Sequence, residues 1–165
     1  MKRAARGLPV LVLSLSLMLA GCATPLGQPL GRPLAQVTAE LGAPTARYAL
    51  PGGGVRLQYS QQPEGRHVYN LDFDAAGHLL RREDAMQPRA FEAIEPGRWR
   101  RADLEQAFGP PAMSWRVARS GEPVWSWRYQ EAGFWRWLHV SLDPQTGTVR
   151  DWSTADEELP DSATP

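Results

Sequence analysis

The apolar residues of this chain alternate with polar ones in four stretches, two in each half of the sequence. In the first half the apolar positions are Val55, Leu57 and Tyr59, then Tyr69, Leu71 and Phe73; in the second they are Trp125, Trp127 and Tyr129, then Leu138, Val140 and Leu142. A period of two places alternate side chains on opposite faces of a strand, so each stretch predicts a strand with one buried face. A turn with Gly77 or Gly147 then leads to a third strand near Leu79 or Val149.

A short helix is predicted before each set of strands. Its apolar residues are four apart and therefore share a helical face: Val37 and Leu41 in the first half, Leu104 and Phe108 in the second. Gly42 and Gly109 follow, where a C-cap with positive φ is expected, and a nearby proline prevents continuation. A further helical segment covers residues 88–94. The predicted fold class is α+β, with two tandem units, residues 34–84 and 85–153, each a helix followed by a three-stranded antiparallel sheet.

The first 21 residues have the order of a bacterial signal peptide. Lys2, Arg3 and Arg6 form a positive region, and residues 8–20 are apolar apart from one proline and two serines. Thirteen helical residues extend only about 20 Å, which is short for a bilayer core of about 30 Å. The length suits the apolar region of a signal peptide better than it suits a buried core helix or an uncleaved anchor.

The end of this segment resembles the lipobox of bacterial lipoproteins, in the sequence Leu19-Ala20-Gly21-Cys22. The resemblance implies cleavage between Gly21 and Cys22, with diacylglyceryl transfer to the Cys22 thiol and acylation of its new amino group. Two or three acyl chains anchor a protein stably, whereas one does so only marginally. Ala23 follows the cysteine, where an aspartate would favour retention in the inner membrane. We therefore expect localisation at the cell outer membrane, facing the periplasm.

Both ends of the mature chain are expected to lack regular structure. Residues 22–33 carry three prolines and two glycines, which predicts a lipidated tether that extends at most about 35 Å. Residues 154–165 carry four acidic residues, two prolines and one large apolar residue, which predicts a disordered acidic tail.

The composition excludes some functions. The formal net charge is zero, and without the first 21 residues the chain keeps 15 basic and 18 acidic residues, so a strongly basic nucleic-acid binder is excluded. The single cysteine rules out an intramolecular disulfide. His67, His78 and His139 have no metal-ligand spacing, and no nucleophile motif is present, so we expect no cofactor, no metal and no enzyme.

All seven tryptophans lie at or after Trp99. Trp125 occupies one of the alternating positions that are expected to be buried. Trp135 and Trp137 occupy the other set of positions, together with His139. With a four-residue loop at residues 131–134, Gln130 pairs with Trp135 and Arg128 pairs with Trp137, so the tryptophans lie on the outer face and Arg128 stacks on Trp137. A three-residue loop at residues 131–133 would change this register. Trp152 is two residues from Arg150 and is therefore expected to lie with it on the outer face of the sheet.

An exposed aromatic patch often marks a binding surface. The candidate partner-binding residues are therefore Trp135, Trp137, Arg128, His139 and Trp152. The alternative is that the first unit or the loops cover this face.

The chain as a whole resembles the SmpA/OmlA (BamE-like) outer-membrane lipoproteins. The residues that carry the resemblance are Gly31, Val37, Leu41, Gly42, Pro44, Tyr59, Phe73, Asp74 and Gly77, and, more loosely, Gly97, Leu104, Phe108, Gly109, Pro111, Tyr129, Leu142, Asp143 and Gly147. Similar tandem units occur in the β-lactamase inhibitor protein, which grips its target with an aromatic sheet face. The best-known members of the family have one unit, whereas this chain has two.

The resemblance implies an αβ fold, a lipid anchor at Cys22 and an accessory role beside the outer-membrane β-barrel assembly machinery or in envelope integrity. The expected partners are the membrane and a periplasmic or outer-membrane protein. An alternative is an inhibitor-like module that binds a periplasmic enzyme through its aromatic sheet face, and a third hypothesis is a hydrolase or lipid-processing enzyme.

Replacing Cys22 by Ser tests the anchor. The substitution removes the thiol that accepts lipid, so we expect the variant to lack acyl chains and to accumulate as an unprocessed precursor, as measured by mass spectrometry and membrane fractionation. A Cys22→Ser protein that still fractionates as a mature outer-membrane protein would contradict the lipobox interpretation.

Overall fold

The computed structural model describes residues 23–157, which form an α+β fold with two antiparallel four-stranded sheets. The first sheet has the order β1-β2-β3-β4 and the second the order β5-β6-β7-β8. The strands are β1 (Ala46–Ala49), β2 (Val55–Ser60), β3 (Val68–Phe73), β4 (Leu79–Asp84), β5 (Met113–Arg116), β6 (Pro123–Glu131), β7 (Phe134–Leu142) and β8 (Val149–Asp156). The helices are α1 (Leu34–Leu41), α2 (Pro88–Phe91) and α3 (Arg101–Phe108), with 3-10 turns at Pro25–Gly27 and Pro51–Gly53.

The α+β class is confirmed, but the prediction of three strands in each sheet is wrong. Each sheet has a fourth, four-residue strand at its edge, β1 or β5, which the sequence analysis missed. All four residues of β5 are exposed, and β1 alternates between partly buried and exposed residues. Neither edge strand has a buried apolar face, so neither shows the alternation of apolar and polar residues from which the other strands were predicted.

Each helix packs against the inner face of a sheet. Val37 of α1 lies in a first core with Leu57, Leu71, Phe73 and Leu79, all at most 1% exposed. Leu104 and Phe108 of α3 lie in a larger second core, which contains Phe91, Trp127, Tyr129, Leu138, Val140, Leu142 and Val149. As predicted, α1 and α3 end at Gly42 and Gly109, whose φ angles of 79° and 73° favour glycine.

The C-terminal end of α3 contacts the outer face of the first sheet, which is polar. The Gln58 amide donates to the carbonyl oxygens of Glu105 and Gln106 at 3.2 and 3.3 Å, and the Asn70 amide donates to that of Ala107 at 2.8 Å. Arg56 and Tyr48 donate to the same helix end, at 3.1 Å each. Because a helix leaves its last four carbonyls without partners inside the helix, these side chains supply the missing donors.

The segment predicted as a tether is packed against the first sheet. The backbone N–H of Gly31 donates to the carbonyl of Leu79 at 2.7 Å, and that of Leu79 donates to the carbonyl of Arg32 at 3.0 Å. Gln28 is only 2% exposed, and the Arg82 guanidinium donates to its carbonyl. The prediction that this segment contains no helix or strand agrees with the structure, in which residues 25–33 form only a 3-10 turn and an isolated bridge at Pro33. The prediction of a free tether is wrong for residues 25–33, because β4 supplies backbone partners for them.

The prediction that the disordered tail begins at residue 154 is also wrong. Strand β8 continues to Asp156, and the N–H of Glu157 donates to the carbonyl of Trp135 at 2.8 Å. The Glu157 carboxylate also pairs with Arg128 at 2.9 Å. The predicted signal peptide (residues 1–21), the predicted lipidation site Cys22 and residues 158–165 lie outside the described residues.

Among residues 23–157, no helix has both the length and the apolar character needed to cross a membrane.

Truncating Phe108 should destabilise the protein more than truncating Leu41. The Phe108 ring is 1% exposed and packs against Phe91 and Trp127 at centroid distances of 5.7 and 6.0 Å. Phe108→Ala should therefore lower the free energy of unfolding by about 3–5 kcal/mol. Leu41 is only partly buried, so Leu41→Ala should cost less than about 2 kcal/mol. Urea unfolding measures both losses, and equal losses would contradict this ranking.

Candidate functional site

The pairing of β6 with β7 confirms the predicted register. Gln130 pairs with Trp135 and Arg128 pairs with Trp137. The hairpin turns at Ala132 and Gly133, whose φ angles are 49° and 88°, and Glu131 still pairs with Phe134. The loop thus has two residues, shorter than the predicted four but with the same register, and the three-residue alternative is excluded.

The outer face of the second sheet carries a row of aromatic side chains. We call this row the aromatic face and define it by Trp115, Arg128, Trp135, Trp137 and His139. Directly opposed residues of a ladder share a face, which links Trp115 with Val124 and Ser126 with His139. The core residues of β6 and β7 alternate with these positions and point to the other side of the sheet.

The aromatic face is held together by stacking. The Trp137 and His139 rings are nearly parallel, with centroids 6.1 Å apart and an interplanar angle of 15°. Trp115 meets His139 edge to face at 6.3 Å. The Arg128 guanidinium lies 4.9 Å from the centre of the Trp137 ring, which confirms the predicted cation–π contact. These contacts fix the orientation of the rings.

The loop between β2 and β3 covers one end of the aromatic face. The Gln62 amide donates to the carbonyl of Arg128 at 2.7 Å and accepts from its N–H at 3.3 Å. The Arg66 guanidinium stacks on Trp135. The alternative that the first unit covers this face is thus correct in part, and the indoles of Trp115 and Trp135 remain 42% and 37% exposed.

A buried hydroxyl orients the aromatic residues at the other end. Ser126 is fully buried, accepts from the Trp115 indole N–H at 3.1 Å and lies 2.8 Å from Nδ1 of His139. The indole can only donate, so Ser126 is the acceptor in the Trp115 contact. Burial lowers the pKa of His139. The Ser126–His139 pair does not present a nucleophile to solvent, because Ser126 lies beneath the face. A shallow pocket of about 190 Å³ adjoins it, lined by Trp115, His139, Ser141, Asp151 and Ser153 among others.

Four of the five predicted partner-binding residues lie together, and Trp152 does not. Trp152 pairs with Val140, packs against the second core and meets Phe91 edge to face at 6.5 Å. The prediction that it joins the outer face is wrong because the ladder between β7 and β8 is irregular at Ser141 and Leu142. Leu142 pairs with Val149 but Ser141 pairs with Asp151, so β8 contains one extra residue at this point. The extra residue shifts the alternation of β8, and Trp152 therefore faces the core.

Two residues of this region, Trp115 and Arg66, were not predicted from the sequence. Trp115 belongs to β5, whose alternation of Met113 and Trp115 with Ser114 and Arg116 was a weak signal for a strand with an outward aromatic side. Arg66 reaches the face from a loop about 70 residues earlier in the chain, and no local pattern indicates that contact.

The described part of the chain contains no cluster of three or more His, Cys, Asp or Glu residues that could hold a metal ion. Asp72 makes a two-point ion pair with Arg56, at 2.6 Å to Nε and 2.8 Å to Nη2.

Comparisons with known proteins provide little further information. No model of a known protein family matches the chain, and no curated protein sequence matches it. Among solved structures, the chain is similar to a DUF4309 family protein (YjgB) from Bacillus subtilis subsp. subtilis str. 168, at 14% sequence identity and a TM-score of 0.32. The similarity covers 74% of this chain and 77% of that chain. A TM-score this low carries no argument about function.

Protonation of His139 should destabilise the second sheet in mild acid. Burial lowers the pKa of His139 in the folded protein below its ordinary value of about 6.5, so the unfolded chain binds more protons between the two values. The contribution of neutral His139 is therefore complete above pH 6.5 or so and is lost as the pH falls through the folded-state pKa. His139→Gln keeps an acceptor for Ser126 but does not titrate.

The measurement is the difference in unfolding free energy between wild type and His139→Gln across this pH range. We expect wild type to lose stability relative to the variant as the pH falls below about 6.5. Parallel pH profiles for the two proteins would exclude this role of His139.

Proposed function

We propose that this protein is a lipid-anchored lipoprotein on the periplasmic face of the outer membrane that binds another protein through its aromatic face. Its role is accessory, in outer-membrane β-barrel assembly or envelope integrity, and it performs no catalysis. The anchor is supported by the basic first residues, the short apolar segment and the lipobox ending at Cys22.

The observation that carries the proposal is a pair of exposed, oriented indoles outside both hydrophobic cores. Trp115 is held by its hydrogen bond to Ser126, and Trp135 is held beneath Arg66. Tryptophans are enriched among the residues that dominate binding energy at protein interfaces. Fixing the rings in advance reduces the conformational entropy that binding would otherwise cost. The pair therefore has the character of a protein-docking site.

We further infer that the two halves are related BamE-like units. In support, each half runs from an eight-residue helix that ends at a glycine into four antiparallel strands paired in chain order. Both sheets also have a register irregularity between their last two strands, after Asp72 in one and after Ser141 in the other.

A specific observation favours the inhibitor-like alternative. Phe134 is 70% exposed at the tip of the β6–β7 hairpin, beside the two-residue turn. A protruding aromatic side chain on a rigid hairpin has the shape needed to enter the cleft of an enzyme. Capture of one soluble periplasmic enzyme, lost in Phe134→Ser, would favour this alternative.

Substituting the exposed indoles should separate docking from stability. We expect Trp115→Ser and Trp135→Ser to abolish partner capture from detergent-solubilised envelope while lowering the melting temperature only slightly, since neither ring belongs to a core. The matched control is Trp127→Ser, which replaces a fully buried tryptophan of the same sheet that belongs to the second core. It should lower the melting temperature and leave capture intact below that temperature.

Mass spectrometry of the captured proteins then identifies the role. Subunits of the β-barrel assembly machinery would support the accessory function. Capture that is unchanged in both indole variants would refute docking through the aromatic face.

A further inference from the structure

The N-terminal segment that follows Cys22 lies against the first sheet. From Pro25 to Pro33 the chain lies against β4, fixed by the backbone hydrogen bonds of Gly31 and Arg32 to Leu79. Gln28, which is buried, anchors the segment from within. The side-chain oxygen of Gln28 accepts a hydrogen bond from the Arg32 guanidinium at 2.8 Å. The same guanidinium also donates to the Glu40 carboxylate at 2.8 Å.

This packing leaves a very short free connection. Only Ala23 and Thr24 separate Cys22 from the 3-10 turn at Pro25–Gly27, and Thr24 already caps that turn through a 3.2 Å bond from the N–H of Gly27. Three residues of extended chain span about 10 Å, compared with about 35 Å for the tether expected from the sequence. A lipid on Cys22 therefore holds the surface around this segment against the bilayer.

The side chains of the segment suit such a surface. Leu26 and Leu30 are 42% and 60% exposed, although both belong to a segment that is otherwise tied to the sheet. Leu80, on the strand that the segment follows, is 62% exposed. Residues 23–33 contain one arginine and no acidic residue, so nothing in the segment opposes an anionic lipid surface.

We propose that Leu26 and Leu30 contact the phospholipid bilayer and fix the orientation of the protein on the membrane. This inference rests on the lipid anchor of the proposed function and adds a membrane-contact surface to it. Acyl chains on Cys22 supply the first attachment, and the exposed side chains of Leu26 and Leu30 supply a second, which restricts rotation about the first.

Site-specific fluorescence in vesicles tests the surface. Leu26→Cys, Leu30→Cys and, as a control, Ala118→Cys on the exposed turn of the second sheet are labelled with an environment-sensitive dye. In acylated protein the Cys22 sulfur is a thioether and does not react, so only the new thiol is labelled. The labelled proteins are reconstituted in vesicles of phosphatidylethanolamine and phosphatidylglycerol. We expect blue-shifted emission and quenching by brominated lipid at positions 26 and 30, and neither at 118.

Mass spectrometry of the same samples distinguishes failure of the membrane-contact surface from failure of the lipid anchor. Acylated protein whose labels at 26 and 30 stay in water overturns the membrane surface and leaves the anchor standing. Protein purified from envelope without acyl chains overturns the anchor and the surface together.

A second variant avoids reliance on the label. Leu26→Ser/Leu30→Ser should retain its acyl chains and its melting temperature, and it should lose protection of residues 23–33 from protease in vesicles. Unchanged protection would count against the leucine contact.

Discussion

The packing of the two halves against each other depends on the buried C-terminal end of helix α3. Its last carbonyls point at the outer face of the first sheet, where Gln58 and Asn70 donate to them from positions at most 1% exposed. A buried carbonyl without a donor costs about 1–3 kcal/mol, so this helix end and this sheet face specify each other. Val68 continues the contact, because it lies on the same face of β3 and belongs to the core of the second half. The two halves are thus joined by polar bonds at the centre of the contact and by apolar packing beside them.

This junction explains why the aromatic face is only partly open. With α3 fixed on the first sheet, the β2–β3 loop reaches the part of β6 that β5 does not cover, and Gln62 pairs there with both backbone groups of Arg128. From the same loop, the Arg66 guanidinium stacks on Trp135. Arg128 and His139 both pack against Trp137. Trp137 therefore stabilises the face, and Trp115 and Trp135 are its exposed indoles.

The sequence predicts the parts of this structure that rest on local periodicity. The long strands, the helix ends at Gly42 and Gly109 and the pairing of Arg128 with Trp137 all follow from spacing. What it missed depends on partners distant in the chain. Residues 25–33 are ordered by the edge of β4, and Trp152 is turned inward by one extra residue in β8. Arg66 lies on Trp135 only because the two halves are packed together, which no window of neighbouring residues reveals.

The docked N-terminal segment bears on which of the two proposed partners fits better. A domain of this size has a radius of gyration of about 14 Å. If Cys22 carries the proposed lipid, a free connection of about 10 Å would keep the aromatic face within a few tens of ångströms of the bilayer. Confinement of this kind raises the effective concentration for a partner embedded in the same membrane, because the second contact becomes intramolecular in character. A soluble enzyme gains nothing from it and must diffuse to the membrane to be inhibited. With the proposed lipid anchor, the packing of residues 25–33 would therefore suit a membrane-bound partner better than a soluble target.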